Sequence, residues 1–182
     1  MSTKNLMKKE LLTYILMAFI SLSLASFTFA VEKPNMVIFL ADDHGLTESS
    51  VYGNSDILTP MMASLAEQGL VFDRAFVASP ACGPSRSALF SGLMPARNGA
   101  EENHQRPRAK TQIMVRRMQD AGYEVAAFGK VAHLNYGKLI GFDIEKQGRR
   151  AAIGGDVKQY LDNRSSKKPL LLIVGDHRPH VP

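Results

Sequence analysis

Four short runs carry the residues able to do chemistry. Asp42-Asp43 supplies two adjacent carboxylates, and Cys82-Gly83-Pro84-Ser85-Arg86 a thiol and a guanidinium. Gly129-Lys130-Val131-Ala132-His133 adds an ammonium and an imidazole, and His177-Arg178-Pro179-His180 two more imidazoles. Paired carboxylates on a turn offer the hard oxygen donors that Ca²⁺ and Mg²⁺ prefer, although alone they serve equally well as turn caps. Cys82 is the one cysteine of the chain, so it closes no internal disulfide. It is a buried bystander, an intermolecular partner or a reactive group. Its neighbours favour the last: a loop entering a helix N-terminus suits an anion and a reactive thiol, and Arg86 adds a donor fork matched to sulfate or phosphate. Lys130 is placed to clamp an anion, and His133 and His180 to move protons. His177 is the weaker of the last pair, because many histidines only satisfy a local hydrogen bond.

The elements that must position these residues can be read from the apolar pattern. Met36 to Ala41 is an unbroken apolar run, predicting a strand buried on both faces as in a parallel sheet, and it delivers Asp42 and Asp43 at its end. Thr59-Pro60, Met61 to Gln68 and then Gly69 give a cap, a first-turn proline and a glycine stop, hence a short helix. Leu70-Val71-Phe72 and Ala75-Phe76-Val77 predict a strand or extended segment, and Ser79 to Pro84 a turn-rich loop. From Ser85 to Ser91 a helix follows and stops at Gly92, with Cys82 just ahead of it. Thr111 to Ala121 and Asp156 to Asn163 have helical spacing, while Glu124 to Phe128 and Leu170 to Val174 read as strands. Arg97 to Lys110 is a long polar surface loop. Strands alternating with helices predict an α/β fold, and ligands of such sheets sit beyond the carboxyl ends of the strands. Three of these strands end in ionisable clusters, which converge on one sheet edge if the strands are parallel neighbours.

Composition narrows the class. Lys4, Lys8 and Lys9, an apolar stretch from Leu11 to Ala25 and the exit Thr28-Phe29-Ala30 have the layout of a secretory signal, with cleavage expected after Ala30. The apolar stretch is interrupted by hydroxyls and short of the roughly 20 residues of a membrane span. A secreted or periplasmic location is therefore expected, with residues 31–182 as the mature domain and no stable membrane span. Loss of residues 1–30 removes three lysines and Glu10, lowering the formal net charge of +5 by two. No basic stripe interleaved with aromatics is present, which argues against nucleic acid as a partner and suits anionic sugars.

With these residues in place, the chain from about Asn35 to Pro182 resembles the sulfatases of the alkaline-phosphatase superfamily. The Cys-x-Pro-Ser-Arg run followed by Ser87-Ala88-Leu89-Phe90-Ser91-Gly92 is close to the sulfatase signature, with Ser91 where Thr is more usual. Asp42-Asp43, Gly129-Lys130…His133 and the His-Arg-Pro-His ending accompany it in family order. The Ala41-Asp42-Asp43…Thr59-Pro60 and Ser91-Gly92-Leu93…Asn98-Gly99 stretches look most like sulfamidases. The Gly-Lys-Val-x-His spacing and the His-Arg-Pro-His ending look more like iduronate sulfatases.

The resemblance implies an alkaline-phosphatase-like sandwich with a mostly parallel central sheet. It implies oxidation of Cys82 to formylglycine by a maturation enzyme, and Asp42, Asp43 and the product of Cys82 as ligands of a divalent ion, Ca²⁺. By the same resemblance, Arg86 holds the hydrated nucleophile, Lys130 clamps sulfate, His133 takes the proton for release and His180 serves the leaving group. The implied substrate is a sulfated carbohydrate such as a glycosaminoglycan. Further family ligands come from beyond the second histidine. The chain is therefore expected to be the N-terminal part of a longer sulfatase, with its sheet incomplete at the C-terminus, and, when isolated, to bind metal weakly and turn over poorly or not at all. The alternatives are a phosphonate or phosphate ester hydrolase of the same superfamily, and an inactive secreted binding fragment in which Cys82 stays a thiol.

Overall fold

The computed structural model describes residue 10 and residues 12–17, 32–133, 140–147 and 151–180. Two compact units are distinguished, Met1–Lys33 and Pro34–Pro182. In the first, residues 12–17 are helical; the rest of the expected signal, including the cleavage point after Ala30, lies outside the described residues. No helix among the described residues is long and apolar enough to cross a membrane.

Among the described residues, the second unit is built on four strands, β1 (Met36–Asp42), β2 (Glu124–Gly129), β3 (Ile144–Lys146) and β4 (Leu170–Pro179), in the order β1-β4-β2-β3. Every pairing is parallel. Among the described residues, five helices longer than a 3₁₀ turn accompany them: α1 (Pro60–Gln68), α2 (Cys82–Ser91), α3 (Pro95–Asn98), α4 (Met114–Asp120) and α5 (Ile153–Asn163). The mixed α/β architecture with a parallel sheet is the one expected.

Strand alternation sends successive side chains to opposite faces, and each face finds its own helices. Val125, Ala127, Leu171 and Ile173 pack with Phe90 of α2 and Val115 of α4, joined by Met36, Ile38 and Leu40 of β1. Ala126, Phe128, Leu170 and Leu172 pack on the other side against Ile153, Val157 and Tyr160 of α5. Each fully buried Leu, Ile, Val or Phe contributes about 1.5–3 kcal/mol, so the central pair β2 and β4 anchors the sheet. One polar lock joins α5 to that pair. Tyr160 donates to the Glu124 carboxylate, which also receives Arg164 Nε at 2.8 Å, and burial together with Glu124 pushes the Tyr160 hydroxyl up to about 12.

The structure corrects several expectations. β1 is buried on one face only: Val37 and Phe39 are exposed, because among the described residues α5 covers β2 and β4 but does not reach this edge strand. Of the strand or extended segment expected at residues 70–77, no strand forms: the stretch is irregular, and Leu70, Phe72 and Phe76 lie exposed. Cys82 is the first residue of α2 rather than the residue before it, since Pro84 is tolerated in a first turn that needs no donor there. α5 begins at Ile153, three residues before the expected start, because Ile153 is drawn into the core under Phe128. β4 continues five residues past Val174, and the short, exposed β3 carries no apolar alternation that would mark it.

Candidate active site

The carboxyl ends of β1, β2 and β4 meet where the parallel order places them side by side. Asp42 ends β1 at 1% exposure, an extreme burial for a carboxylate. Its neighbour Asp43 adopts φ 60°, a left-handed conformation that Asp tolerates better than most residues. This breaks strand alternation and lets two consecutive carboxylates serve one site.

β2 ends at Gly129 with φ +77°, where a Cβ would stand 2.2 Å from the Gly175 carbonyl oxygen. Glycine is required for that approach, which lets Lys130 N–H donate to Gly175 O at 2.8 Å and turns the Lys130 side chain toward β1. In β4 the register slips between the pairs Leu40↔Gly175 and Asp42↔Pro179, so two extra residues bulge out. Asp176 braces this bulge by accepting from Arg178 N, Nε and Nη2 at 2.9, 3.1 and 2.8 Å. The detour brings His180 N–H to Asp42 O at 3.0 Å and His180 Nε2 to 3.6 Å from Asp43 Oδ2.

Asp42 is the hub. Arg86 Nη2 donates to its Oδ1 at 3.1 Å and Lys130 Nζ pairs with its Oδ2. Arg86 Nη1 also donates to the carbonyl oxygens of Lys130 and, at 3.1 Å, Val131, tying α2 to the ends of β1 and β2. Burial alone would push the Asp42 carboxyl upward, but Lys130 and Arg86 outweigh it and hold the carboxyl below its usual range. Lys130 Nζ lies 3.9 Å from Cys82 Sγ. One oxygen from each of Asp42 and Asp43 and the Cys82 sulfur all fall within 4.8 Å of one another. These residues open onto a cavity of about 840 Å³, which Asp42, Asp43, Cys82 and Arg86 line with His44, Phe76 and Leu89.

Of the eight distinct groups the motifs singled out, the fold gathers Asp42, Asp43, Cys82, Arg86 and Lys130, with His180 at Asp43. His133 stands apart from this hydrogen-bonded cluster: neither ring nitrogen has a partner among the described residues, and both are buried. Burial first, then the nearby charges of Lys130, His104 and Arg86, hold its imidazole below the ordinary range, against a smaller opposing effect of Asp42. His177 lies on the β4 bulge. Arg86 is buried rather than a solvated surface arginine. The donors expected to be free at the start of α2 are mostly committed: Gly83 N–H goes to Asn103 Oδ1, Ser85 N–H to Ala81 O, and Pro84 has none, which leaves the Cys82 N–H. Sequence reading missed Asn103 and His104, whose ring lies 5.5 Å from that of His133; both sit in a polar stretch with no periodicity to mark them.

A parallel sheet gathers two carboxylates, two cations and a lone cysteine at its carboxyl edge, and comparison with known proteins places the chain that carries them in a family. A family model for sulfatases matches residues 34–149. Over 156 residues the chain is 37% identical to an ulvan-active sulfatase of Formosa agariphila, covering 82% of this chain and 31% of the relative. It is 31% identical over 161 residues to the N-sulphoglucosamine sulphohydrolase of Homo sapiens, covering 80% of this chain and 32% of that one. Among solved structures, one determined in complex with its substrate D-glucosamine-2-N,6-O-disulfate superposes with a TM-score of 0.73 at 25% identity, covering 82% of this chain and 35% of the other. The chain belongs to the sulfatase family. It spans about a third of the length of the curated relatives it matches.

Proposed function

We propose that this chain carries the nucleophile side of a sulfatase centre that releases sulfate from a sulfated carbohydrate. The observation that supports it most is the meeting of Asp42, Asp43 and Cys82 donor atoms within 4.8 Å beside Lys130 and Arg86. The relatives named above act on sulfated sugars, which favours that substrate class. The alternative of a phosphonate or phosphate ester hydrolase gains no comparable support.

In this reading a separate maturation enzyme, drawing on a two-electron oxidant, breaks the Cβ–S bond of Cys82, releases the sulfur at the sulfide level and forms C=O in its place to give formylglycine. A thiolate attacking sulfur would leave a thiosulfate with no easy exit. The hydrated aldehyde attacks through one hydroxyl, forming an O–S bond as the sugar oxygen departs. Its second hydroxyl then loses a proton, the C=O re-forms and sulfate leaves. Lys130, whose ammonium lies 3.9 Å from Cys82 Sγ, holds sulfate oxygens. Arg86 keeps Asp42 and the first turn of α2 in register. His133, held neutral, accepts the proton that the second hydroxyl gives up. His180 serves the departing oxygen.

Asp42, Asp43 and residue 82 fit a hard divalent ion such as Ca²⁺: two are carboxylates, and the third becomes an oxygen donor on conversion. Three protein donors leave further positions of the 6–8 that Ca²⁺ takes for water or other groups. When bound, the ion would offset negative charge on the nucleophile and on sulfate. Residues 1–30 act as an export signal and residues 31–182 contribute to the catalytic domain, so the mature protein works outside the cytoplasm.

Peptide mass spectrometry of protein made together with the maturation enzyme tests the reading. The peptide containing residue 82 is expected to lose about 18 Da, the difference between thiol and aldehyde forms. An unchanged cysteine in such protein refutes the formylglycine nucleophile.

A further inference from the structure

The loop after α3 reaches the nucleophile from outside every sequence motif. Asn103 Oδ1 accepts a hydrogen bond from Gly83 N–H at 2.9 Å. The approach is close in its backbone as well: a Cβ on residue 83 would stand 2.5 Å from the Asn103 carbonyl oxygen. Ala81, at the N-cap of α2, has no side chain with which to cap the helix. Asn103 therefore does this from a distance in sequence.

The loop is itself fastened to the opposite end of the same helix. Asn98 is fully buried; its Nδ2 donates to Ser91 Oγ at 3.1 Å and Leu93 O at 3.2 Å, and its Oδ1 accepts from Ala100 N–H at 2.8 Å. Gln105 Oε1 then folds the loop by accepting the N–H groups of Glu101 and Glu102 at 2.9 and 3.1 Å. Residues 98–105 thus form a strap tied to α2 at its end by Asn98 and at its start by Asn103. The start is where a tie is needed. Gly83 is the most conformationally free residue type, and it directly follows the residue whose side chain must face Asp42, Asp43 and Lys130.

We propose that Asn103 is a positioning residue for the nucleophile at position 82: by holding Gly83 N–H it fixes the turn that aims that side chain. The proposal rests on the reading of residue 82 given above. It acts through Gly83 and requires no contact between Asn103 and substrate.

The test compares the full chain with its Asn103→Ala and Asn103→Asp variants, the second keeping an acceptor oxygen in place. In protein made with the maturation enzyme, turnover of an aryl sulfate is measured per converted residue 82. Asn103→Ala is expected to lower kcat by about 10- to 100-fold, the scale of a small misplacement of a reacting group, with KM little changed. Asn103→Asp recovers most of that loss. A converted Asn103→Ala variant with the parent's kcat overturns the positioning role alone, as does an Asn103→Asp variant no better than Asn103→Ala.

If residue 82 of the parent does not convert, the formylglycine nucleophile proposed above falls, and the thiol form still decides the role of Asn103. Alkylation of the single cysteine by iodoacetamide is expected to accelerate about fivefold in Asn103→Ala, the factor a lost helix cap makes in local opening. Asn103→Asp is expected to stay near the parent rate. Equal rates in all three proteins overturn the proposal.

Discussion

Replacing Asp42 by Asn tests whether the buried hub holds the carboxyl edge of the sheet together. The side chain loses its charge and keeps its shape, leaving Arg86 Nη2, 3.1 Å away, without its carboxylate. The Arg86 side chain is 7% exposed and cannot turn to water, whereas Lys130, at 16%, has some freedom to do so. Breaking a buried pair from one side costs about 3–5 kcal/mol, and the escape of Lys130 together with the two carbonyl acceptors left to Arg86 puts this case near 3. In a domain of this size each kcal/mol moves the melting temperature by about 2–4 °C, so the expected fall is about 6–12 °C at neutral pH. The assay is thermal denaturation followed by circular dichroism, with chelator present so that only protein groups contribute. Acid supplies the second arm. Lys130 and Arg86 hold Asp42 below its usual range, so as pH falls the unfolded chain takes up this proton before the folded one. The contribution is full above the unfolded value near 3.9 and drains away as pH drops through the lower folded value. The gap between parent and Asp42→Asn is therefore expected to narrow between about pH 7 and about pH 2. A gap below about 2 °C at neutral pH, or one of equal size at both ends, refutes the reasoning.

Two further substitutions probe the neighbouring strand ends. Gly129→Ala places a Cβ 2.2 Å from Gly175 O at φ +77°, and is expected to cost at least about 2 kcal/mol in urea unfolding; an unchanged midpoint would contradict the close approach of β2 and β4. His133→Leu removes two buried, unpartnered ring nitrogens, so its stability near pH 7 is expected within about 1 kcal/mol of the parent while turnover is lost. Burial and nearby cations lower the folded pKa of His133, so the parent loses stability as pH falls below about 6.5 and the variant does not; parallel pH profiles for the two proteins would show that the imidazole is not held neutral.

How much of this was legible in the sequence depends on whether a residue's task is local. Met36 to Ala41, Glu124 to Phe128 and Leu170 to Val174 announce strands because burial in a parallel sheet demands continuous apolar runs, and their order with the helices between them gives the α/β class. The site residues at their ends were legible for the same reason, since the strands deliver them. Exposure of Val37 and Phe39 was not legible, because which face of an edge strand is covered depends on where α5 lands, a tertiary fact. Asn103 was hidden for the opposite reason. Its work is a single hydrogen bond to Gly83 across a loop with no periodicity, so its composition reads as solvent-facing surface.

Asp42 shows how a site can invert the weight given to a residue. By type and position it would serve as well to cap a turn, yet the turn is made by Asp43 in its left-handed conformation, while Asp42 is buried between two cations. Stability alone gives little reason for that choice, because burying such charges costs desolvation that apolar packing would avoid. What the arrangement provides is geometry. Through Asp42, α2 and the ends of β1 and β2 are held in one register, and the Lys130 ammonium is kept 3.9 Å from position 82. In the reading proposed for position 82, a cation fixed at that distance from the nucleophile is preorganised before substrate arrives, which is the form of electrostatic stabilisation that lowers a barrier most. The costly hub is therefore better explained by the chemistry it aims than by the fold it joins.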